Sequence, residues 1–175
     1  MTDIDQIRDW YAFNSEVRKK YLKVLAALPR RALLKDRKAS FPSLLDIYVH
    51  TLDAYNWYMY YAYHDRAGEF KRKAGAIKTI AQARQYERQV DQRVGAFLKR
   101  LDSRLLASTF QFTYPAGHPR GAGLRKVRTR DMLLQLIAED LQHRGELAGL
   151  LWQFDAEVPF TGFIDWSESR GKKRG

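Results

Sequence analysis

Cysteine is absent from this chain of 175 residues. That excludes disulfide stapling, a thiolate nucleophile of the protein's own and cysteine-based zinc sites. The cytoplasm is therefore the expected compartment. Also missing is any apolar run of about 18 residues, so no segment is expected to cross a bilayer as a helix. The opening stretch MTDIDQIRDW lacks the basic-then-apolar layout of a secretory signal. Acidic charge is scarce: 31 Lys and Arg against 20 Asp and Glu leave a net charge of +11. The excess concentrates at 30–38, 71–78, 120–130 and 170–174, which read as loops, helix ends and a tail. Such a balance suits an anionic partner such as nucleic acid. No recognised binding module accompanies it, and solubility is the plainer explanation.

What is present is enough apolar material, 45% of the chain, to fill one core. Residues 4–28 carry the seam Ile4, Ile7, Tyr11, Asn14, Val17, Tyr21, Val24 and Leu28. Its steps of three and four are those of a bundle helix, and its one polar member, Asn14, needs a partner if buried. Pro29 ends this first helix, and 30–39 read as a connection. Ser40-Phe41-Pro42-Ser43 reads as a helix start, and 43–64 as a second helix, apolar on almost every side. Such a helix is central, or it faces a second subunit. A third, well-solvated helix is expected over 77–101. Next, Phe110, Phe112 and Tyr114 alternate with polar residues at the period of a strand. The turn-rich 115–121 and a weaker return strand at 124–127 would complete a short hairpin. Thr129 is the expected cap of a fourth helix running to 154, followed by an irregular segment with apolar anchors. The expectation is an all-α four-helix bundle over 1–166, with a hairpin between helices 3 and 4 and a basic disordered tail over 167–175.

Four histidines bear on chemistry. His64 falls at a helix end and His118 in a loop. His50 shares a face of the second helix with Ile47, Ala54, Trp57 and Tyr61. His143 lies within about 60° of the centre of the fourth helix's apolar stripe. Glu139 precedes His143 by one turn, so the two side chains stand on one face. Such a pair can grip a divalent ion, with His50 as the candidate third ligand. Asp140, three residues before His143, is an alternative carboxylate ligand. It is also spaced to pair with Arg144. Two buried histidines with ordinary hydrogen-bond partners fit the same spacing. Tyr55, Trp57, Tyr58 and Tyr61 either wall a pocket or pack the core, with packing the commoner outcome.

His143-Arg144-Gly145-Glu146-Leu147 resembles the HRGQL signature of the DinB/YfiT-like family of damage-inducible metalloenzymes. His50-Thr51-Leu52-Asp53-Ala54-Tyr55-Asn56-Trp57 resembles that family's helix 2 motif. Trp10, Asn14 and Leu25-Ala26-Ala27-Leu28-Pro29 resemble its helix 1. The match spans about 4–154. The resemblance implies a four-helix bundle of up-down-down-up topology, a homodimer, and a divalent metal held by His50, Glu139 and His143. Glu139 stands where the family motif commonly has a histidine. Family metals are often nickel or zinc, whereas a carboxylate ligand favours manganese or iron. Relatives include transferases and isomerases that use low-molecular-weight thiols, which implies a metal-dependent enzyme of thiol-transferase type. Metal-activated water for hydrolysis is the second enzymatic option. The alternative is a non-enzymatic basic module for nucleic acid, or a scaffold with a vacant site.

Overall fold

The computed structural model describes residues 2–71, 73, 75–114, 121–154 and 156–171. Four long helical stretches carry most of the chain. The first, α1 (Asp3–Ala27), begins with a capping box. The Thr2 hydroxyl accepts from the Asp5 amide at 3.3 Å, and the Asp5 carboxylate accepts from the Thr2 amide at 3.1 Å. The connection after Pro29 contains a one-turn helix, α2 (Arg30–Leu34), anchored by buried Leu33. Ser43 caps α3 (Leu44–Asn56), as the sequence indicates, by accepting from the Asp46 amide at 3.1 Å. The predicted second helix then changes pitch, and Trp57–Ala62 is π-helical. The third long helix, α4 (Ile80–Lys99), starts three residues later than expected, at a capping box of Thr79 and Gln82.

A short helix, α5 (Ser103–Ala107), leads into β1 (Thr109–Tyr114) and β2 (Gly123–Arg128). They pair antiparallel, with Phe112 opposite Arg125 and Tyr114 opposite Gly123. The expected hairpin is therefore present. Most of its turn, with His118, lies outside the described residues. The last long helix, α6 (Thr129–Trp152), is not capped by Thr129. Arg128 holds the cap position without a side-chain bond, and Thr129 is buried with its hydroxyl 2.9 Å from that of Ser108. That bond ties the helix start to the end of α5.

The tail expectation is corrected. A helix, α7 (Phe163–Gly171), takes in residues 167–170, where the sequence suggested disorder. The cause lies upstream. Phe163 stacks on Trp10 with ring centroids 4.3 Å apart, and Trp166 packs edge-on against Phe13 at 5.6 Å. Arg170 adds an ion pair to Asp9 at 3.3 Å. The rest of the expected tail, 172–175, lies outside the described residues.

Hydrogen bonds fix how the long helices run. Tyr11 donates to the Leu133 carbonyl and Arg18 pairs with Asp140, so α1 and α6 point the same way. Arg8 near the start of α1 reaches the Leu98 and Leu101 carbonyls at the end of α4, so those two are antiparallel. Ser40 reaches Glu146 and His50 reaches Glu139, so α3 runs against α6. Leu25, Leu44, Leu52, Leu133 and Leu136 are fully buried between these helices. The all-round apolar second helix is covered from within the chain. Its π-helical part packs on the hairpin, where Trp57 stacks on Tyr114 at 5.4 Å and Tyr58 and Tyr114 share a hydroxyl contact at 2.9 Å. No helix among the described residues is long and apolar enough to cross a membrane.

Candidate metal centre

Opposed helices bring the three predicted ligands together. His50 comes from the middle of α3, and Glu139 and His143 from successive turns of α6. Their ligand atoms lie within 4.8 Å of one another. Two ligands about 2.0–2.2 Å from one ion stand at most about 4.4 Å apart, so gripping an ion needs the most widely separated of these atoms to draw closer together. His50 Nε2 is already 3.2 Å from Glu139 Oε1. The two imidazoles sit edge to face, with centroids 4.8 Å apart. His143 is buried, while His50 is 27% and Glu139 16% exposed, so the group opens toward solvent on one side.

Each ligand is held from behind. Nδ1 of His143 lies 3.1 Å from Glu146 Oε2, which leaves Nε2 for an ion. Glu146 is fixed in turn by Ser40, which donates its amide at 2.9 Å and its hydroxyl at 2.6 Å. Gln135 donates to Glu139 Oε2 at 3.2 Å, one turn away. Phe41 stacks on His50 with centroids 3.8 Å apart and meets His143 at 5.7 Å. Contact with His50 holds the Glu139 carboxyl below the ordinary range, and Gln135 adds to this against the opposing effect of burial. Burial pushes Glu146 up, but the Ser40 bonds and His143 outweigh it and leave the carboxyl below its usual value. Both carboxylates are therefore kept in the anionic form that a cation or an imidazolium requires.

Asp140 is not part of this group. Its carboxylate is buried against Arg18 and accepts from the Tyr55 hydroxyl at 2.9 Å. Nor does it form the expected ion pair with Arg144, which reaches Asn14 Oδ1 at 3.5 Å instead. Asn14 is wholly buried and finds the partner it needs in the Tyr55 hydroxyl at 3.4 Å. Arg18 adds Asp91 at 3.3 Å. Burial alone would weaken the Arg18 charge, but Asp140, Tyr55 and Asp91 reverse this and hold its proton more tightly than usual. Tyr55 thus belongs to a buried ionic network beside the centre. Tyr61 packs on Phe70 at 5.3 Å.

Tyr58 has a second role. With Phe112, Tyr114, Arg125, Met132 and Gln135 it lines an open cleft of about 300 Å³. The cleft meets the centre at Gln135, the residue bonded to Glu139. Sequence reasoning missed Ser40, Phe41, Gln135 and Glu146 as functional residues. The spacing of Glu146 from His143 carries a signal, because i and i+3 share a helix face. Nothing local points to Ser40 and Phe41, which arrive from a loop about a hundred residues earlier in the chain.

An imidazole pair and a carboxylate on facing helices, with further polar groups orienting them, form a group of the kind that can hold a divalent cation. Residues 1–172 match the model of the DinB family, and the chain belongs to that family. The fold is similar to that of a DinB-like protein of Bacillus subtilis, with a TM-score of 0.63 and 15% identity over 89% of this chain and 97% of that one. A DinB-like protein of Bacillus cereus gives the same score and identity over 90% of this chain and 97% of its own. No curated protein matches the chain.

Proposed function

We propose that this protein is a metal-dependent enzyme that holds one divalent ion through His50 Nε2, a Glu139 carboxylate oxygen and His143 Nε2. The observation that carries the reading is the convergence of these three atoms, from two helices, with the other ring nitrogen of His143 already engaged by Glu146. Two imidazoles and a carboxylate leave coordination positions open. A divalent ion held by these residues would lower the pKa of a thiol or water and so supply a nucleophile near neutral pH.

The chain has no cysteine, so a thiolate must come from a small-molecule thiol. Thiol transfer is the reaction class we favour. The chain's own residues orient and enclose. Glu146 and Ser40 fix the His143 ring, Gln135 fixes Glu139, and Phe41 shields His50 from bulk water. The cleft beyond Gln135 offers the aromatic walls of Tyr58, Phe112 and Tyr114 to a second substrate. Zinc and nickel suit the imidazoles, and manganese and iron suit the carboxylate. We read the four long helices as an up-down-down-up bundle. Support comes from the parallel pairing of α1 with α6 and the antiparallel pairings of α1 with α4 and α3 with α6.

The test uses cobalt-loaded protein titrated with a small thiol such as cysteamine. The proposal expects a thiolate-to-metal charge-transfer band that the His143→Ala variant lacks. Metal bound at His50, Glu139 and His143 with no thiol band at any concentration would move the reading to hydrolysis by metal-activated water. Failure to bind cobalt would leave a basic scaffold or nucleic-acid module.

A further inference from the structure

The solvent face of α4 carries positive charge and no free negative charge. Arg84, Arg88 and Lys99 are exposed along it, with Gln85, Gln89 and Gln92 between them. Both carboxylates of the helix are committed elsewhere. Glu87 is buried and accepts from Tyr48 at 2.7 Å, while Asp91 pairs with Arg18 at 3.3 Å and with Lys19 at 3.4 Å. At about 100° per residue, Arg84, Arg88, Gln92 and Lys99 fall within about 80° of one another. They lie opposite buried Val90 and Val94.

The neighbouring helix continues this surface. Arg8 reaches the Leu98 carbonyl and Ser15 donates to Asp91 at 3.1 Å, so each step forward along α1 is a step back along α4. That register sets Lys19 about level with Arg88 and Lys23 about level with Arg84, the two levels about 6 Å apart. Lys19 is 58% exposed, and Lys23 is exposed as well. From Val17 to its end α1 has no acid. The nearest exposed one, Glu16, stands at the level of Asp91, beyond the four cations. Two cation pairs, each spaced i and i+4, therefore stand side by side. Like charges at that spacing destabilise a helix. Among the described residues, the side chains of Lys23, Arg84 and Arg88 form no hydrogen bond or ion pair. The fold itself gains nothing from this arrangement, whereas an anionic partner would be held by it.

What the surface lacks selects the partner. None of the large apolar side chains exposed among the described residues lies on α1 or α4. A membrane-binding helix needs such groups to enter the lipid boundary, and a protein interface centres on them. Single strands are held by stacking on exposed aromatic rings. The one tyrosine of α4, Tyr86, is half-buried and donates to Asp53. Arginine, lysine and glutamine side chains are instead groups that contact phosphate and sugar. We propose that Lys19, Lys23, Arg84 and Arg88 form a surface that binds the phosphate backbone of a nucleic-acid duplex without reading its sequence. It lies outside the stretches where the sequence concentrates basic charge, because two helices that meet only in the fold assemble it. It uses α1 and α4, whereas the candidate metal centre lies between α3 and α6, so it stands independently of the metal reading.

Fluorescence anisotropy with labelled DNA and RNA duplexes of about 20 base pairs, read between about 50 and about 200 mM salt, tests it. Four phosphate contacts predict that log affinity falls with log salt at a slope of about −3.6. Arg84→Gln combined with Arg88→Gln should weaken binding at least about tenfold and make the slope shallower by about 2, with helicity by circular dichroism unchanged. Lys35→Gln combined with Lys126→Gln removes the same charge from other exposed positions and should leave affinity and slope near those of the wild type. No binding to either duplex at the lowest salt overturns the proposal. So does an equal loss in the Lys35 and Lys126 variant, which would mean attraction to net charge alone. Preference for a single strand of the same length, or binding to phosphatidylserine vesicles with none to the duplexes, overturns it as well.

Discussion

Glu146 lies 3.1 Å from Nδ1 of His143 and takes two further hydrogen bonds from Ser40. A loop that precedes α3 is therefore linked through Glu146 to the ring of His143, a candidate ligand on α6. Orienting carboxylates of this kind typically contribute about 10–100-fold in metal affinity. Glu146→Ala is expected to weaken zinc or manganese binding by about that factor, measured by calorimetric titration, while the thermal unfolding midpoint changes little. Affinity equal to that of the wild type would show that Glu146 does not orient the ring.

The Arg18–Asp140 pair is buried, with side chains 5% and 1% exposed. Removing one member of such a pair leaves the other charge buried and unpaired, which costs about 3–5 kcal/mol. Asp140→Ala is expected to lose about that much stability in urea unfolding. The double variant Arg18→Met with Asp140→Leu should recover most of it, since apolar replacement of both partners removes the desolvation cost. A mild effect of Asp140→Ala would mean that Asp91 and Tyr55 suffice for Arg18.

Burial pushes the Glu87 carboxyl above its ordinary value, against the opposing hydrogen bond from Tyr48 at 2.7 Å and the charge of Arg18. The native state thus binds this proton more tightly than the unfolded chain does. Ionisation of Glu87 lowers stability as the pH rises through its native pKa, and the penalty is absent below the unfolded value of about 4.3. Glu87→Gln keeps an acceptor for Tyr48 and removes the charge. It should exceed the wild type in stability at pH 7 and approach it near about pH 4, as read from urea midpoints at both values. A variant less stable than the wild type at pH 7 would contradict the sign.

The stacking of Phe163 on Trp10 at 4.3 Å makes α7 part of the fold. Phe163→Ala should lower stability by about 1–2 kcal/mol through lost burial and ring contact. It should also open the chain to trypsin at Arg170, whose partner is Asp9. Unchanged proteolysis would show that α7 is held by other contacts.

Features carried by local periodicity were legible in the sequence. The alternation of Phe110, Phe112 and Tyr114 gave the strand, and the seam of α1 gave its helix with ends within about a residue. His50, Glu139 and His143 were legible because two share a turn of α6 and the third lies mid-helix on a face with Ile47 and Trp57. What was not legible depends on distant parts of the chain. Asp140 was open as a ligand because its actual partner, Arg18, comes from α1, 122 residues away. The residues after Trp166 look like a basic tail until Trp10 and Phe13 are placed beneath α7. The second helix reads as central or as facing a second subunit, and the cover that the hairpin gives its π-helical end was not legible because it comes from a later part of the chain.

Elemental analysis of untagged protein after equilibration with zinc, nickel, manganese and iron tests the central claim most directly, beside His50→Ala, Glu139→Ala and His143→Ala. The account predicts about one ion per chain in the wild type, loss of that ion in both histidine variants, a large reduction in the glutamate variant, and unchanged helicity in all three. An ion retained at full stoichiometry in the histidine variants, or a wild type that takes up none of the four metals, would contradict it.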